Sequence, residues 1–226
     1  MTAKRDKAAR SKREARNRRR RNQTRKEIIE VAREVMIAEG FHGFTLSAVA
    51  DELGLTKPAL YYYFRSKEAL LFEVVLDELV EAASEIQAAV EQTETGADAV
   101  EAMMRTFFDR YRNNTELFAL TYNVGSFPPE CQKLIGPEQL ERVRPTNDMT
   151  YGGAEKRLRD DQRSGRFSKK RDPRRFAFTA HMAVVGLLNM KAVTEAASDP
   201  LIHSDDDLID DVCETFRHSA SSGATR

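Results

Sequence analysis

The sequence predicts an all-α protein of about nine helices. From residue 67 onward, apolar residues recur at the 3.6-residue spacing of amphipathic helices, and no alternation of apolar and polar residues is long enough for a strand. Boundary signals agree with this periodicity, since Pro173 stands where a helix can begin and Gly165 where one can end. We therefore expect a three-helix N-terminal domain followed by a larger helical domain.

Residues 45–67 have the pattern of two short helices joined by a tight turn and followed by the start of a third. Thr45 offers an N-cap hydroxyl, and Gly54 follows the last apolar residue of the first short helix as a stop. The second short helix begins at Thr56, with Pro58 in its first turn. This is the plan of a helix-turn-helix, whose second helix enters the major groove of DNA by its N-terminal residues.

The side chains on the outer face of the second helix suit a DNA contact. Lys57 can donate to guanine acceptors, Pro58 and Ala59 can touch a thymine methyl, and tyrosine hydroxyls can donate to phosphate oxygens. The alternative is that the tyrosines at 61 to 63 belong to the core. The residues predicted to contact DNA here are Thr45, Ser47, Thr56, Lys57, Pro58, Ala59, Tyr61, Tyr62 and Lys67.

The formal net charge of zero conceals two opposed parts of the chain. Residues 1–26 contain 13 Lys and Arg but two acidic residues, and the rest of the chain is correspondingly acidic. A basic segment before a helix-turn-helix can lie in the adjacent minor groove or follow phosphates without reading sequence. It could also be a solvated, disordered tail. The arginines predicted to contact DNA are Arg18, Arg19, Arg20, Arg21 and Arg25.

The N-terminal region resembles the DNA-binding domain of TetR-type repressors over about residues 24–72. The matching positions are Gly40, Phe44, Thr45, Val49, Ala50, Gly54, Leu55, Thr56, Leu60, Tyr61, Tyr63, Phe64, Lys67, Glu68, Ala69 and Leu70. The resemblance implies a homodimeric repressor that binds a palindromic operator and holds a small-molecule inducer in its C-terminal domain. Ser47 departs from the pattern, because many members carry an arginine there that reaches a base.

The domain organisation that we predict has four parts. A basic arm covers residues 1–21, the helix-turn-helix domain 22–66, a helical effector-binding and dimerisation domain 67–218, and a disordered tail 219–226. The third part begins with a long helix to about Thr93, followed by helical patterns at about 97–113, 115–124, 137–163, 173–198 and 205–218.

One of these helical segments is interrupted. Residues 137–163 contain Pro145 and a pair of glycines, Gly152 and Gly153, which weaken a helix. We expect a kinked helix or two pieces beside a cavity, or else a plain loop between two short helices.

Two apolar clusters compete for the role of effector pocket. Aromatic and Met stripes are more often ordinary core, but the family resemblance favours a pocket. The first cluster is Met103, Met104, Phe107, Phe108, Tyr111, Phe118 and Tyr122, and the second is Phe176, Phe178, Met182, Val185 and Met190. We expect a lipophilic effector with one or two polar atoms. The residues predicted to bind it are Met103, Phe107, Tyr111, Phe118, Tyr122, Asn123, His181 and Asn189.

The last two helices have the composition of a dimer surface, with small and apolar residues that permit close helix packing. In the family that the N-terminal region resembles, the last two helices form a four-helix contact between protomers. The stripes could instead face the protomer's own core. The residues predicted at the dimer interface are Ala183, Val184, Leu187, Leu188, Leu208, Val212 and Phe216.

Several other functions find no support in the sequence. There is no signature of a serine hydrolase, zinc protease, P-loop or dinucleotide-binding enzyme, and we expect no enzymatic activity and no cofactor. The acidic run after Ser204 has the pattern of a helix N-terminus rather than a metal site. Two distant cysteines, Cys131 and Cys213, fit a reducing compartment.

The prediction is thus a ligand-responsive repressor that binds a palindromic double-stranded DNA operator as a homodimer and is released by a small lipophilic effector. No apolar run approaches the ~20 residues that span a bilayer, so we expect a cytoplasmic, nucleoid-associated bacterial protein without a membrane segment. The alternative is an architectural DNA-binding protein that uses the basic arm and responds to no effector.

Overall fold

The structure, a computed structural model, describes residues 2–122, 136–197 and 203–221. Within those ranges the chain forms nine α-helices and no strand. They are α1 (Thr2–Gly43), α2 (Leu46–Glu52), α3 (Lys57–Tyr63), α4 (Lys67–Glu91), α5 (Gly96–Tyr111), α6 (Thr115–Tyr122), α7 (Pro137–Arg163), α8 (Pro173–Ala197) and α9 (Asp205–Ser221). The prediction of an all-α fold of about nine helices is confirmed.

The chain divides into two units, Met1–Asp77 and Glu78–Arg226, and the division falls inside α4. The predicted boundary near residue 67 lies at the start of this helix, where the Ser66 hydroxyl accepts a hydrogen bond from the Ala69 N–H at 3.1 Å. The first turns of α4 therefore belong to the N-terminal unit, because their apolar side chains complete its core.

The core of the N-terminal unit comes from all four of its helices. Its fully or nearly fully buried side chains are Ile28, Ile29, Ala32, Met36, Phe44, Leu46, Val49, Ala50, Leu60, Phe64, Leu70, Leu71 and Val74. Each buried aliphatic or aromatic side chain of this size stabilises the fold by roughly 1.5–3 kcal/mol relative to exposure. α2 and α3 are too short to be stable alone, so this burial holds them in place.

The basic segment is part of α1 rather than a separate arm. α1 is helical from Thr2, and the residues predicted as an arm form its first turns. The helix is interrupted near its C-terminal end, where Gly40 has φ 65° and ψ −178°. This left-handed φ strains any residue with a Cβ, which explains a glycine at this position.

In the C-terminal unit α5 is the central helix, and it packs against α6, α7, α8 and α9. Its N-terminus is capped by the Thr95 hydroxyl, which accepts from the Asp98 N–H at 3.1 Å. The Gly96 N–H donates to the buried Asp161 carboxylate at 2.7 Å. An added Cβ at Gly96 would lie 2.7 Å from Leu158 Cδ2, so only glycine permits this approach of α5 to α7.

α7 is a single helix from Pro137 to Arg163, so the prediction of two pieces or of a loop is wrong. Pro145 lies inside α7 at an exposed position. Because proline has no N–H, it cannot donate a hydrogen bond to the Glu141 carbonyl, and water can bind that carbonyl instead. Gly153 permits close packing on α4, because an added Cβ would lie 2.7 Å from Val90 Cγ1. The glycine therefore serves packing rather than a break.

α8 is long and apolar enough, by length and composition only, to cross a membrane over Pro173–Thr194. One third of that window is buried inside the protein, and α8 packs against α5, α6, α7 and α9. A core helix meets the same criterion, so the composition is weak evidence for a span.

Candidate nucleic-acid interface and effector cavity

α3 presents a polar outer face and an apolar inner one. Leu60 and Phe64 are buried, whereas Lys57 is exposed and the side chains of Tyr61 and Tyr62 are 52% and 67% exposed. The alternative that these two tyrosines belong to the core is therefore wrong. Two phenol rings and an ammonium group on the first two turns of a short helix form a surface that can donate hydrogen bonds to DNA.

Local hydrogen bonds set the position of α3. The Thr45 hydroxyl accepts from the Ala48 N–H at 3.0 Å, and the Thr56 hydroxyl accepts from the Ala59 N–H at 3.4 Å. Gly54, in the turn between α2 and α3, has φ 60°. The predicted Thr45 cap, the predicted turn and the predicted helix start at Thr56 are confirmed, and Pro58, which is exposed, lies in the first turn of α3 as expected. Both threonines thus orient the helices.

Three of the predicted basic contacts have partners inside the N-terminal unit. Arg21 lies over the Tyr62 ring at 5.5 Å from its centroid, and the Lys67 ammonium lies 5.6 Å from the centroid of Phe44. Arg25 lies 4.7 Å from the centroid of Phe64 and pairs with Glu73.

The Arg25 guanidinium joins α1 to α4 through a 3.0 Å ion pair with Glu73, and its contact with DNA stays a prediction. Arg18, Arg19 and Arg20 are exposed. Ser47 and Ala59 are half-buried.

The C-terminal unit contains a connected group of aromatic rings. The Phe107 ring lies 5.0 Å from both Tyr111 and Tyr122, and Phe118 stacks on Tyr122 at 5.5 Å. Burial raises the pKa of Tyr111 and Tyr122, so both phenols stay neutral. Met103, Phe107, Tyr111 and Phe118 are all at most 1% exposed, which makes them core behind the cavity described next rather than its wall.

His181 is the buried polar group at the centre of this region. It is 2% exposed, its ring lies 4.3 Å from Phe107 and 5.5 Å from Tyr151, and its Nδ1 has no hydrogen-bond partner. Burial lowers its pKa to about 4, so the imidazole is neutral at pH 7. A buried polar atom without a partner costs free energy, roughly 1–3 kcal/mol, that a bound hydrogen-bonding group could recover.

A cavity of about 80 Å³ lies against His181 between α4, α6, α7 and α8. Its walls are Leu79, Ala82, Ala83, Ile86, Tyr122, Val143, Thr146, Asn147, Thr150, Tyr151, His181 and Met182. Of the predicted effector residues, Tyr122 and His181 line it. Asn189 does not, since its amide donates to the Val185 carbonyl of its own helix at 3.0 Å. Asn123 lies outside the described residues.

A buried ionic network lies beside the aromatic group and was not predicted from the sequence. Glu78 is fully buried and accepts from Arg110 Nε at 2.7 Å and from the Tyr111 hydroxyl at 2.9 Å. Arg110 also binds Glu81 and Glu85 of α4. The signal was present as three acids spaced by three and four residues, but the arginine that joins them lies a further 25 residues along the chain.

Residues 28–74 match the sequence profile described as bacterial regulatory proteins, tetR family. This match assigns residues 28–74 to the DNA-binding domain that characterises the tetR family. The transcriptional activator FasR of Mycolicibacterium smegmatis is 27% identical over 106 residues, which cover 47% of this chain and 48% of FasR. The chain thus spans about half the length of FasR, and less of other curated relatives that it matches. These relatives are named as transcriptional regulators, not as enzymes.

Solved structures extend the likeness beyond the tetR-family domain, at the level of the fold. A Rhodococcus protein of unknown function has a TM-score of 0.68 at 19% identity, over 87% of this chain and 95% of that one. FadR of Bacillus subtilis, solved with stearoyl-CoA, has a TM-score of 0.66 at 15% identity, over 85% and 97%. The helices after the tetR-family domain therefore follow the same fold as those two proteins.

The residues predicted at the dimer interface separate into two groups. Val184 and Leu188 are at most 1% exposed in the protomer's own core, so their assignment to a dimer surface is wrong. Ala183, Leu187, Leu208, Val212 and Phe216 are half-buried. The exposed apolar face of α8 is instead formed by Phe178, Met182, Met190 and Val193. The first three were predicted in the second apolar cluster, and Val193 was assigned to neither a pocket nor an interface.

The other candidate chemical sites of the chain have a structural explanation. The Ser204 hydroxyl accepts from the Asp207 N–H at 3.1 Å, which confirms the helix-cap interpretation of the acidic run. Among the described residues, no group of three His, Cys, Asp or Glu side chains could hold a metal ion. Burial raises the pKa of the Cys213 thiol to about 11, which makes it a poor nucleophile; Cys131 lies outside the described residues.

Proposed function

We propose that this chain is a ligand-responsive transcriptional regulator, a repressor, that binds a palindromic operator as a homodimer in the bacterial cytoplasm. The observation that carries the proposal is the outer face of α3, where Lys57, Tyr61 and Tyr62 are exposed on a helix whose other face is fixed in the core. Lys57, Pro58, Ala59 and Tyr61 would approach base edges, and Thr45, Ser47, Thr56, Tyr62 and Lys67 would contact phosphates.

The apolar stripe on α8 supports the homodimer. Phe178, Met182, Met190 and Val193 follow helical spacing, and exposed apolar side chains in one stripe are typical of a protein contact. A two-fold dimer would place two α3 helices about 34–36 Å apart, or farther, on half-sites of a palindrome. Half-buried Leu187 and Ala183 would border this contact.

The cavity beside His181 supports a small lipophilic effector. Its walls combine six apolar side chains with the neutral imidazole, the amide of Asn147, two tyrosines and two threonines as polar groups. An effector with a hydrogen-bonding group beside the His181 Nδ1 would supply the partner that this atom lacks. FadR of Bacillus subtilis was solved with stearoyl-CoA, which suggests an acyl compound here. A long acyl chain would require the 80 Å³ cavity to widen, since ligand sites commonly measure ~300–1,000 Å³.

The effector would act on DNA binding through α4. Tyr122 lines the cavity and its ring lies 5.7 Å from Tyr111, whose hydroxyl donates to Glu78 on α4. A ligand that moves Tyr122 would therefore disturb a buried contact on the helix that continues into the N-terminal unit. By linkage, a ligand that prefers a conformation with low operator affinity must reduce that affinity. FasR is named an activator, so repression by this chain is our proposal and does not follow from that relative.

A second candidate function is an architectural DNA-binding protein without an effector, which the basic N-terminal helix favours. The two differ in specificity, because regulators typically bind their sites 10³ to 10⁷ times more tightly than other DNA.

Selection of bound genomic fragments by the purified chain at physiological salt, followed by sequencing, separates the two candidate functions. One or a few palindromic sites would support the regulator, and the neighbouring genes would suggest acyl or other effectors to test for release. Broad recovery of A·T-rich DNA without a palindrome would contradict it and favour the architectural protein.

A further inference from the structure

The first 26 residues of α1 after Met1 form a basic extension that the tetR-family domain does not include. The family match starts at residue 28, and Ile28 is also the first core residue among the side chains whose burial the structure describes. Within residues 2–27 the apolar residues are all alanines. The extension therefore has no apolar face with which to join a core, although it is helical throughout.

The charge of the extension calls for a polyanionic partner. Residues 1–26 contain 13 basic and two acidic residues, and the side chains from Arg16 to Arg21 are exposed. Consecutive arginines repel one another along a helix, and this repulsion is relieved when phosphates neutralise them. A membrane surface fits less well, because an interfacial helix needs an apolar face to bury among lipids.

The C-terminal end of the extension lies beside the proposed DNA-reading face of α3. Arg21 lies over the ring of Tyr62, which is 67% exposed on the outer face of α3. One turn later, Arg25 is held by Phe64 and Glu73, so the last turn of the extension is anchored to the domain. The basic extension therefore adjoins the face of α3 that we propose to contact DNA.

We propose that residues 2–24 of α1 form a second DNA-binding element, a rigid helix that follows the phosphates flanking the site contacted by α3. Twenty residues of α-helix extend about 30 Å, which corresponds to about nine base pairs at 3.4 Å each. The element adds sequence-independent affinity with a steep salt dependence. The inference rests on the proposed function only in requiring that α3 contact DNA.

The first test measures the salt dependence of binding to random-sequence 40-base-pair duplexes. Each phosphate contact contributes about 0.9 to the slope of log K against log salt. Successive side chains of an α-helix point about 100° apart, so about two of these four arginines can face one duplex. The variant with Arg18, Arg19, Arg20 and Arg21 changed to Gln should therefore lose roughly two units of slope. A control with Arg144, Arg163, Lys169 and Lys170 changed to Gln removes the same charge from exposed positions of the C-terminal unit. It should keep the wild-type slope. An unchanged slope in the arginine variant would overturn the proposal.

The second test separates a rigid helix from a flexible basic tail. Ala15→Pro breaks the helix but keeps every charge, whereas Ala15→Gln keeps both. We expect the proline variant alone to lose salt dependence, because the basic residues before position 15 no longer follow the duplex. A proline variant with the wild-type slope would contradict the helical element.

Two further outcomes would also overturn the inference. A larger effect of the arginine change on A·T-tract than on G·C duplexes would indicate minor-groove reading. Arginine-dependent co-sedimentation with phosphatidylglycerol vesicles, with an unchanged DNA slope, would indicate a lipid partner. Failure of the regulator proposal is distinguishable, because the genomic selection would then return no palindrome while the slope on random DNA still fell.

Discussion

The two units of the molecule differ in where they place the polar side chains that we assign to function: at the surface in the N-terminal unit and in the core in the C-terminal unit. The N-terminal unit keeps Lys57, Tyr61 and Tyr62 at its surface and uses short-range caps to aim them. The C-terminal unit buries Glu78 and His181 among aromatic rings. Exposed polar groups on a rigid helix are suited to a large polar partner such as DNA, whereas buried polar groups store a free-energy cost that a small ligand or a conformational change can alter.

The largest effect should come from the ionic network of the C-terminal unit. Arg110→Met leaves Glu78 buried without its guanidinium, which we expect to lower the free energy of unfolding by about 3–5 kcal/mol in urea denaturation. Arg105→Met is the control, since Arg105 pairs with two carboxylates, against three for Arg110, and is 38% exposed against 14%. Its cost should be about 1 kcal/mol or less. Equal costs for both would remove the contrast between buried and exposed pairs.

The histidine should make stability depend on pH. The pKa of His181 is about 4 in the folded state against an ordinary 6.5, so between these values the unfolded chain binds more protons. Stability is therefore retained above pH 6.5 and falls by about 3 kcal/mol as the pH drops to 4. His181→Phe should flatten this dependence in urea denaturation at pH 4.5 and 7. An equal change of unfolding free energy between pH 4.5 and 7 in both proteins would show that folding does not lower the pKa of His181.

How much could be predicted follows from the range of each interaction. Thr45, Gly54, Thr56 and Ser66 act on residues within three positions, so the spacing alone located α2, α3 and the start of α4. Periodicity likewise located the helices of the C-terminal unit to within a few residues. The amphipathic pattern also identified which face of α3 is outside.

The interactions that escaped prediction join distant residues. Glu78 meets Tyr111 across 33 positions, and Asp161 meets Gly96 across 65. Val184 and Leu188 show the same limit, because a stripe of apolar residues does not say whether it faces the protomer's core or a partner. The exposed face of α8 became evident only after the packing of the neighbouring helices was known.

A smaller effect tests the local caps of the N-terminal unit. Thr56→Ala removes the acceptor of the Ala59 N–H at the start of α3 and should cost about 1 kcal/mol of unfolding free energy. Thr56→Ser keeps the hydroxyl and should cost only a few tenths. A loss of operator affinity by Thr56→Ala that exceeds its effect on folding would assign the hydroxyl a phosphate contact as well.

Specificity measured on DNA tests the central claim most directly. On the palindromic fragment recovered by selection and on a shuffled duplex, the wild-type affinities should differ by 10³ or more. In the Lys57→Ala/Tyr61→Ala variant, the difference in binding free energy between the two duplexes should shrink by roughly 1–3 kcal/mol for each base contact that α3 has lost. Affinity for the shuffled duplex should change little. A ratio that is unchanged in the variant would contradict the assignment of base reading to α3.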